Sequence, residues 1–356
     1  MADGADTERK PRRKTSATRR VTVVDVAREA GVSPMTVSNV VNGRHRLMSE
    51  STRLQVEAAI ARLGYRPHVT GRSLRLDRRF AIGIVIVDRS PTFLADPFIT
   101  QIVAGLSNYL SEQGYGLIVQ GIVAERLADA PLIQRHETDG LCIMLSGPRT
   151  KRRAMIELFG RLRQPLVLFQ EPVPEGIPDA ISIRQDDYGG ALALARRLIG
   201  DGVRSILFLK PGLEWPAIDE RERGIRAAAG RQRPRVRVAT LGCGTGDFTD
   251  VQTALDAHVK SAGMPDAVMG GNDQMGIAAL KWLRAQGIDV PGRVRVTGFN
   301  AFDAWRYSDP ELTTVVSPAY EMGRRGGEVL LARLQGRSAQ ERDILLPVTL
   351  QPGASA

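Results

Sequence analysis

Eight short, nearly unbroken apolar runs set the plan of this chain: AIGIVIV (81–87), YGLIVQ (115–120), GLCIML (140–145), PLVLF (165–169), SILFL (205–209), VRVATL (236–241), DAVMG (266–270) and VRVTGF (294–299). A strand without polar alternation is buried on both faces and needs helices above and below its sheet. Helical patterns such as ITQIVAGLSNYLSEQG and YGGALALARRLIGDG lie between the runs. This alternation predicts an α/β body of doubly wound parallel sheets, and so many strands suit two lobes better than one sheet.

Residues 1–80 are built differently. They hold 17 basic and 8 acidic residues, a net +9, whereas the remaining 276 hold 32 and 31. A small basic head joined to a neutral body points to a polyanion partner. Nucleic acid ranks before a membrane, because no amphipathic apolar stripe accompanies the charge. Residues 1–20 have almost no hydrophobes and read as a solvated, disordered basic tail. No run of about 18 apolar residues is present, so no transmembrane helix is expected. The polar N-terminus and the two cysteines, Cys142 and Cys243, favour a reducing cytoplasm, with the chain on the nucleoid. Four scattered histidines show no ligand spacing, and neither a metal nor a cofactor is expected.

Within the head, residues 21–66 carry three helical patterns. Val23, Val26, Ala27 and Ala30 repeat at helical spacing and stop at Gly31. Asp25 lies in the first turn, where a carboxylate suits the helix dipole. Ser33 reads as an N-cap with Pro34 behind it, opening a second helix that ends at Gly43 with Val37, Val40 and Val41 inward. A third helix runs from near Ser49 through Leu54, Val56, Ala59, Ile60 and Leu63 to Gly64. Helix, glycine turn and capped second helix make the helix-turn-helix plan. Met35, Ser38, Asn39 and Asn42 share the face opposite the valines and suit base edges, while Ser33 and Thr36 suit phosphates.

The head, VTVVDVAREAGVSPMTVSNVVNG followed by SESTRLQVEAAIARLGYRP and HVTGRSLR, resembles the LacI/GalR family of bacterial regulators, and the resemblance runs over residues 21–351. It implies an N-terminal all-α helix-turn-helix head (21–66), a hinge helix (67–79) and a core (80–356) like the type I periplasmic binding proteins. The N-lobe would hold 80–183 and 318–345, the C-lobe 184–317 and 346–356. It places Pro34, Met35 and Asn39 at base-reading positions and Leu74 as a wedge in the minor groove; Arg72, in the same hinge segment, is expected to contact the DNA backbone. Two departures stand out. Asn39 replaces a usual arginine or similar long side chain, which favours adenine over guanine. The hinge has Gly71 where alanine is usual, at a cost of roughly 1 kcal/mol of helix propensity.

Ligands of open parallel sheets bind at the carboxyl ends of strands. The residues there are Asp88, Gln170, Asn272 with Asp273, and Asn300. The resemblance adds Arg221, through the spacing Arg221-x-x-Gly224, and Phe248 as an aromatic that stacks on the effector. It also picks out Asn272 and Asn300 as polar contacts. The connection DRSPTFLADPF is longer than usual, which brings Phe93, Asp96 and Phe98 to the pocket mouth. Gln170 and Asn300 stand where the family usually has aspartates. Losing two negative charges while keeping Arg221 favours an anionic effector such as a sugar acid over a plain sugar.

The expected function is therefore that of a sequence-specific repressor. It would bind a palindromic double-stranded DNA operator as a homodimer, since no heptad tail for tetramers is present, and a sugar or sugar acid would control it. A corepressor-dependent regulator with a non-sugar effector such as a nucleobase is the alternative. An enzyme is the weaker rival: GCGTG (242–246) follows a strand but lacks the third glycine of a dinucleotide loop. A transport binding protein would fit the body but not the head.

Overall fold

The computed structural model describes residues 21–66, 78–173, 175–177, 179–230, 234–337 and 341–356. The basic tail and hinge residues 67–77, with Gly71, Arg72 and Leu74, lie outside them. The chain divides into two units, residues 1–77 and 78–356.

In the first unit, α1 (Val23–Glu29), α2 (Pro34–Val41) and α3 (Glu50–Leu63) bury Val26, Ala27, Ala30, Val37, Val40, Val56 and Ala59 together. Local chemistry sets each boundary. Thr22 and Asp25 form a reciprocal capping box on α1, so Asp25 caps as well as complementing the dipole. Ser33 Oγ accepts from Thr36 N at 3.1 Å, and Ser49 Oγ from Thr52 N at 3.2 Å. Gly31, Gly43 and Gly64 stop the three helices at positive φ, where a side chain would be strained. One inward assignment shifts, since Val41 is only half-buried; on α3 Leu54 is 52% exposed while Val56 and Ala59 hold the buried face.

The body carries two parallel sheets. The first has the order β11-β5-β4-β3-β1-β2, from β1 (Ala81–Val87), β2 (Gly116–Ile122), β3 (Gly140–Leu145), β4 (Leu166–Phe169), β5 (Ala180–Gln185) and β11 (Asp343–Leu346). In its register Ile84 lies between Val119 and Cys142. The second has the order β7-β6-β8-β9, from β6 (Ser205–Lys210), β7 (Arg237–Gly242), β8 (Ala267–Gly270) and β9 (Arg295–Thr297). β10 (Thr314–Val316) pairs antiparallel with β12 (Thr349–Gln351). The central strands β1, β3, β4 and β8 are buried almost throughout, as their unbroken runs require; β2 and β7 are edge strands and half exposed.

Helices cover both faces: α4 (Pro97–Glu112), the short α5 (Pro131–Gln134), α6 (Arg149–Gly160) and α11 (Ala319–Leu334) on the first sheet; α7 (Asp187–Gly200), α8 (Pro216–Gly230), α9 (Phe248–Ala262) and α10 (Asp273–Ala285) on the second. The chain leaves the first sheet after β5, returns to it after β10, and leaves it again after β11. Among the described residues no helix is long and apolar enough to cross a membrane.

Candidate functional site

The carboxyl ends of both sheets converge on one buried guanidinium. Arg221, on α8, is 4% exposed. Its Nε donates to Asp187 Oδ1 at 2.8 Å, one Nη to Asn300 Oδ1 at 3.2 Å and the other to the Gly271 carbonyl. The Phe299 ring lies beneath it, 3.8 Å from Cζ. Three of its five N–H groups are used in this way. Gly224, one turn on, explains the spacing. A Cβ there would stand 2.4 Å from the Tyr188 carbonyl, so only glycine lets α8 press against α7 and bring Arg221 to Asp187.

Asp187 is the acceptor around which the site closes. Besides Arg221 it accepts from Gln185 Nε2 and Gln170 Nε2, both at 2.9 Å. Burial lifts its carboxyl above the ordinary range, against the pull of Arg221 and the two amides. Gln170 Oε1 accepts from Gln185 N at 3.0 Å, Gln185 Nε2 reaches Asn300 Oδ1 at 3.4 Å, and Ser317 Oγ donates to Gln185 Oε1 at 2.5 Å. Gln170 and Asn300 sit at φ +64° and +107°, left-handed backbone that costs energy and recurs at functional sites.

The remaining sequence-chosen residues are placed unevenly. Asn272 caps α10, accepting from Met275 N at 2.9 Å, beside the carbonyl that Arg221 uses. Asp273, next along, is buried; Thr314 Oγ1 donates to it at 2.5 Å, and burial pushes its carboxyl up to about 7. Phe98 belongs to the first sheet's core and meets Phe302 at 6.4 Å between ring centroids, a contact across the two sheets' loops. Asp96 caps α4, accepting from Phe98 N at 2.8 Å; burial raises its carboxyl, and it feels both Asp88 and Arg221. Asp88 turns its own loop by accepting from Ser90 N and lines a hollow of about 400 Å³ with Arg89, Phe93 and Arg126. The ring of Phe248 is 40% exposed, with Lys281 Nζ 4.5 Å above it.

Sequence reasoning missed Asp187, Gln185, Ser317 and Trp215, whose ring packs against the cores of both sheets. Arg152 and Glu171, a buried pair at 2.6 Å, close the edge where Gly147 N donates to the Glu214 carbonyl. The GCGTG loop is not a phosphate cradle. Asp250 accepts from Thr245 N at 2.6 Å and lies where a Cβ on Gly244 would stand, so a carboxylate occupies that space.

On the head, the second helix presents the expected face with some of its groups already engaged. Met35 is 68% exposed. The Ser33 and Thr36 hydroxyls bond each other at 3.0 Å, and Asn42 Nδ2 folds onto the Ser38 carbonyl at 2.6 Å. Among the described residues the Asn39 amide makes no hydrogen bond. The chain matches known proteins over nearly its whole length. Residues 22–68 match the profile "Bacterial regulatory proteins, lacI family", and residues 195–356 match "Periplasmic binding protein-like domain". The transcriptional regulator CelR of Thermobifida fusca is 32% identical over 93% of this chain and 97% of its own. The chain belongs to the lacI family of bacterial regulatory proteins. It is also 29% identical to the ribose operon repressor of Escherichia coli K12, over 94% of this chain and 99% of that one. Among solved structures, the lac repressor dimer bound to operator and an anti-inducer superposes with a TM-score of 0.80 at 25% identity, covering 95% of this chain and 99% of that one. A CelR–cellobiose complex gives 0.66 at 30%, covering 95% and 100%. As a family member the chain is a DNA-binding regulator of transcription whose operator binding a small molecule controls.

Proposed function

We propose that the chain is a homodimeric repressor that holds a palindromic operator and is released by a neutral sugar bound against Arg221. The observation that carries the reading is the hub itself. A buried guanidinium stacked on an aromatic ring, with N–H groups left over and amides around it, suits hydroxyl oxygens at the carboxyl ends of two sheets. The cellobiose complex of CelR and the name of the ribose operon repressor support a sugar. The pairing of Arg221 with Asp187 supports a neutral sugar over the sugar acid that the amides at 170 and 300 alone would favour. The dimer follows from a single head reading only half of a palindrome. In the head, Asn39 and Met35 read base edges and the Ser33–Thr36 pair meets the backbone.

The test is a thermal-shift screen of the purified chain against neutral sugars and sugar acids, then operator binding with and without the best hit. A ligand at 100 times its Kd should add about 2.7 kcal/mol. A neutral sugar is expected to stabilise the chain and weaken operator binding. A hit that tightens operator binding reverses the sign of control.

A further inference from the structure

The charge of this cleft is set at a position that the comparison with the family's usual aspartates does not reach. The strand-end positions 170 and 300 carry amides, yet a carboxylate still lies against Arg221: that of Asp187, 4% exposed, which takes Arg221 Nε at 2.8 Å and one amide donor from each of Gln170 and Gln185. The three positions constrain one another. An aspartate or glutamate at 170 would point a second carboxylate at Asp187 across a 2.9 Å contact, where a glutamine donates instead. Asn300 Oδ1 accepts from both Arg221 and Gln185, so an amide there completes the ring of bonds without adding charge. The groups that feel Arg221 are carboxyls: Asp187 in contact, Asp273 and Asp96 through space, with Asp88 acting on Asp96.

We propose that Asp187 determines the charge class of effector: by neutralising Arg221 it leaves N–H donors without net positive charge, so the cleft accepts neutral polyhydroxyl ligands and rejects carboxylates and phosphates. The inference rests on the reading of this cleft as the effector site. A carboxylate ligand entering here meets a guanidinium that is already paired, with acidic neighbours beyond it. Removing the Asp187 charge alone makes the same guanidinium an anion receptor.

The experiment is thermal denaturation of the full chain titrated with gluconate or inorganic phosphate, against chloride at constant ionic strength. Five proteins are compared: wild type, Arg221→Ala, Asp187→Asn, Asp187→Asn with Arg221→Ala, and Asp187→Asn with Asn300→Asp. Asp187→Asn is expected to gain a saturable stabilisation, with apparent affinity for the anion roughly 10–100-fold above wild type, the worth of one charged hydrogen bond. Arg221→Ala should abolish the gain. Asn300→Asp should also abolish it, by returning a carboxylate to the Nη that Asn300 now contacts. An unchanged anion response in Asp187→Asn overturns the proposal, as does a saturable response of wild type that Arg221→Ala removes. Should Asp187→Asn fail to fold, the Asn300→Asp double variant is expected to restore folding, and failure to do so also overturns it. The site reading fails in a different way: a neutral sugar would stabilise wild type and the single Arg221→Ala variant equally.

Discussion

Arg221 reaches Asp187 only because residue 224 has no side chain. Replacing Gly224 with alanine puts a Cβ 2.4 Å from the Tyr188 carbonyl and 3.0 Å from Leu192 N, both backbone atoms that cannot rotate away. The variant should lose about 1–3 kcal/mol in denaturant unfolding, the range for overpacking. It should also lose sugar response, because α8 must move off α7. Asp273 makes a pH prediction. Its folded carboxyl titrates near 7 against an ordinary value of 3.8, so between those values the folded chain holds a proton that the unfolded chain has lost. Stability from this group therefore falls as pH rises from about 4 to 7, at no more than roughly 1.4 kcal/mol per pH unit, and that contribution is gone above 7. Asp273→Asn should flatten this part of the stability–pH curve; an identical slope in variant and wild type refutes the assignment. Gln170 and Asn300 were legible in the sequence because each ends an apolar run, and Arg221 because its spacing to Gly224 matches the family's pattern. Asp187 was not. It follows AISIRQ, where Ser182, Arg184 and Gln185 break the apolar run, so no strand end was marked there.

Elements with local punctuation were read well. Each head helix begins at a hydroxyl cap and ends at a glycine with positive φ, signals written within a few residues. Ser33→Ala should remove the 3.1 Å bond to Thr36 N and cost about 1 kcal/mol. Amides of the first turn of α2 should then exchange hydrogen faster, while those of α3 keep their rates. The elements that escaped are the short strands of the crossovers. β5 is central in the first sheet yet carries polar residues, because Ser182 Oγ finds the Glu171 carbonyl and Arg184 pairs with Asp343 at 2.6 Å. β10, β11 and β12 are three or four residues long, too short for a period. Their partners lie far along the chain, Thr349 to Val316 and Asp343 to Ser182, so tertiary pairing makes them strands.

At the scale of the molecule, charge and ligand chemistry are divided between the units. The first 77 residues hold 15 basic and 8 acidic residues, +7 of the net +10, so operator affinity should fall steeply with salt. The proposed effector hub lies wholly in residues 78–356, at the crossovers: Gln185 ends β5, Asp187 stands two residues on, and Ser317 follows β10. In the proposed mode, a ligand bound across this ring ties together segments that join the two sheets, and so acts on the angle between them. Coupling of that kind is reciprocal: if sugar weakens operator binding by a given factor, operator must weaken sugar binding by the same factor. Arg221→Ala should erase both effects together. Operator affinity of the unliganded variant should stay near wild type, since Arg221 belongs to the other unit. Measuring sugar affinity with and without operator, and operator affinity with and without sugar, closes the cycle for each protein. Two unequal factors in wild type would mean that a third species, such as a change in oligomeric state, enters the equilibrium; an undiminished response in Arg221→Ala would place the effector elsewhere.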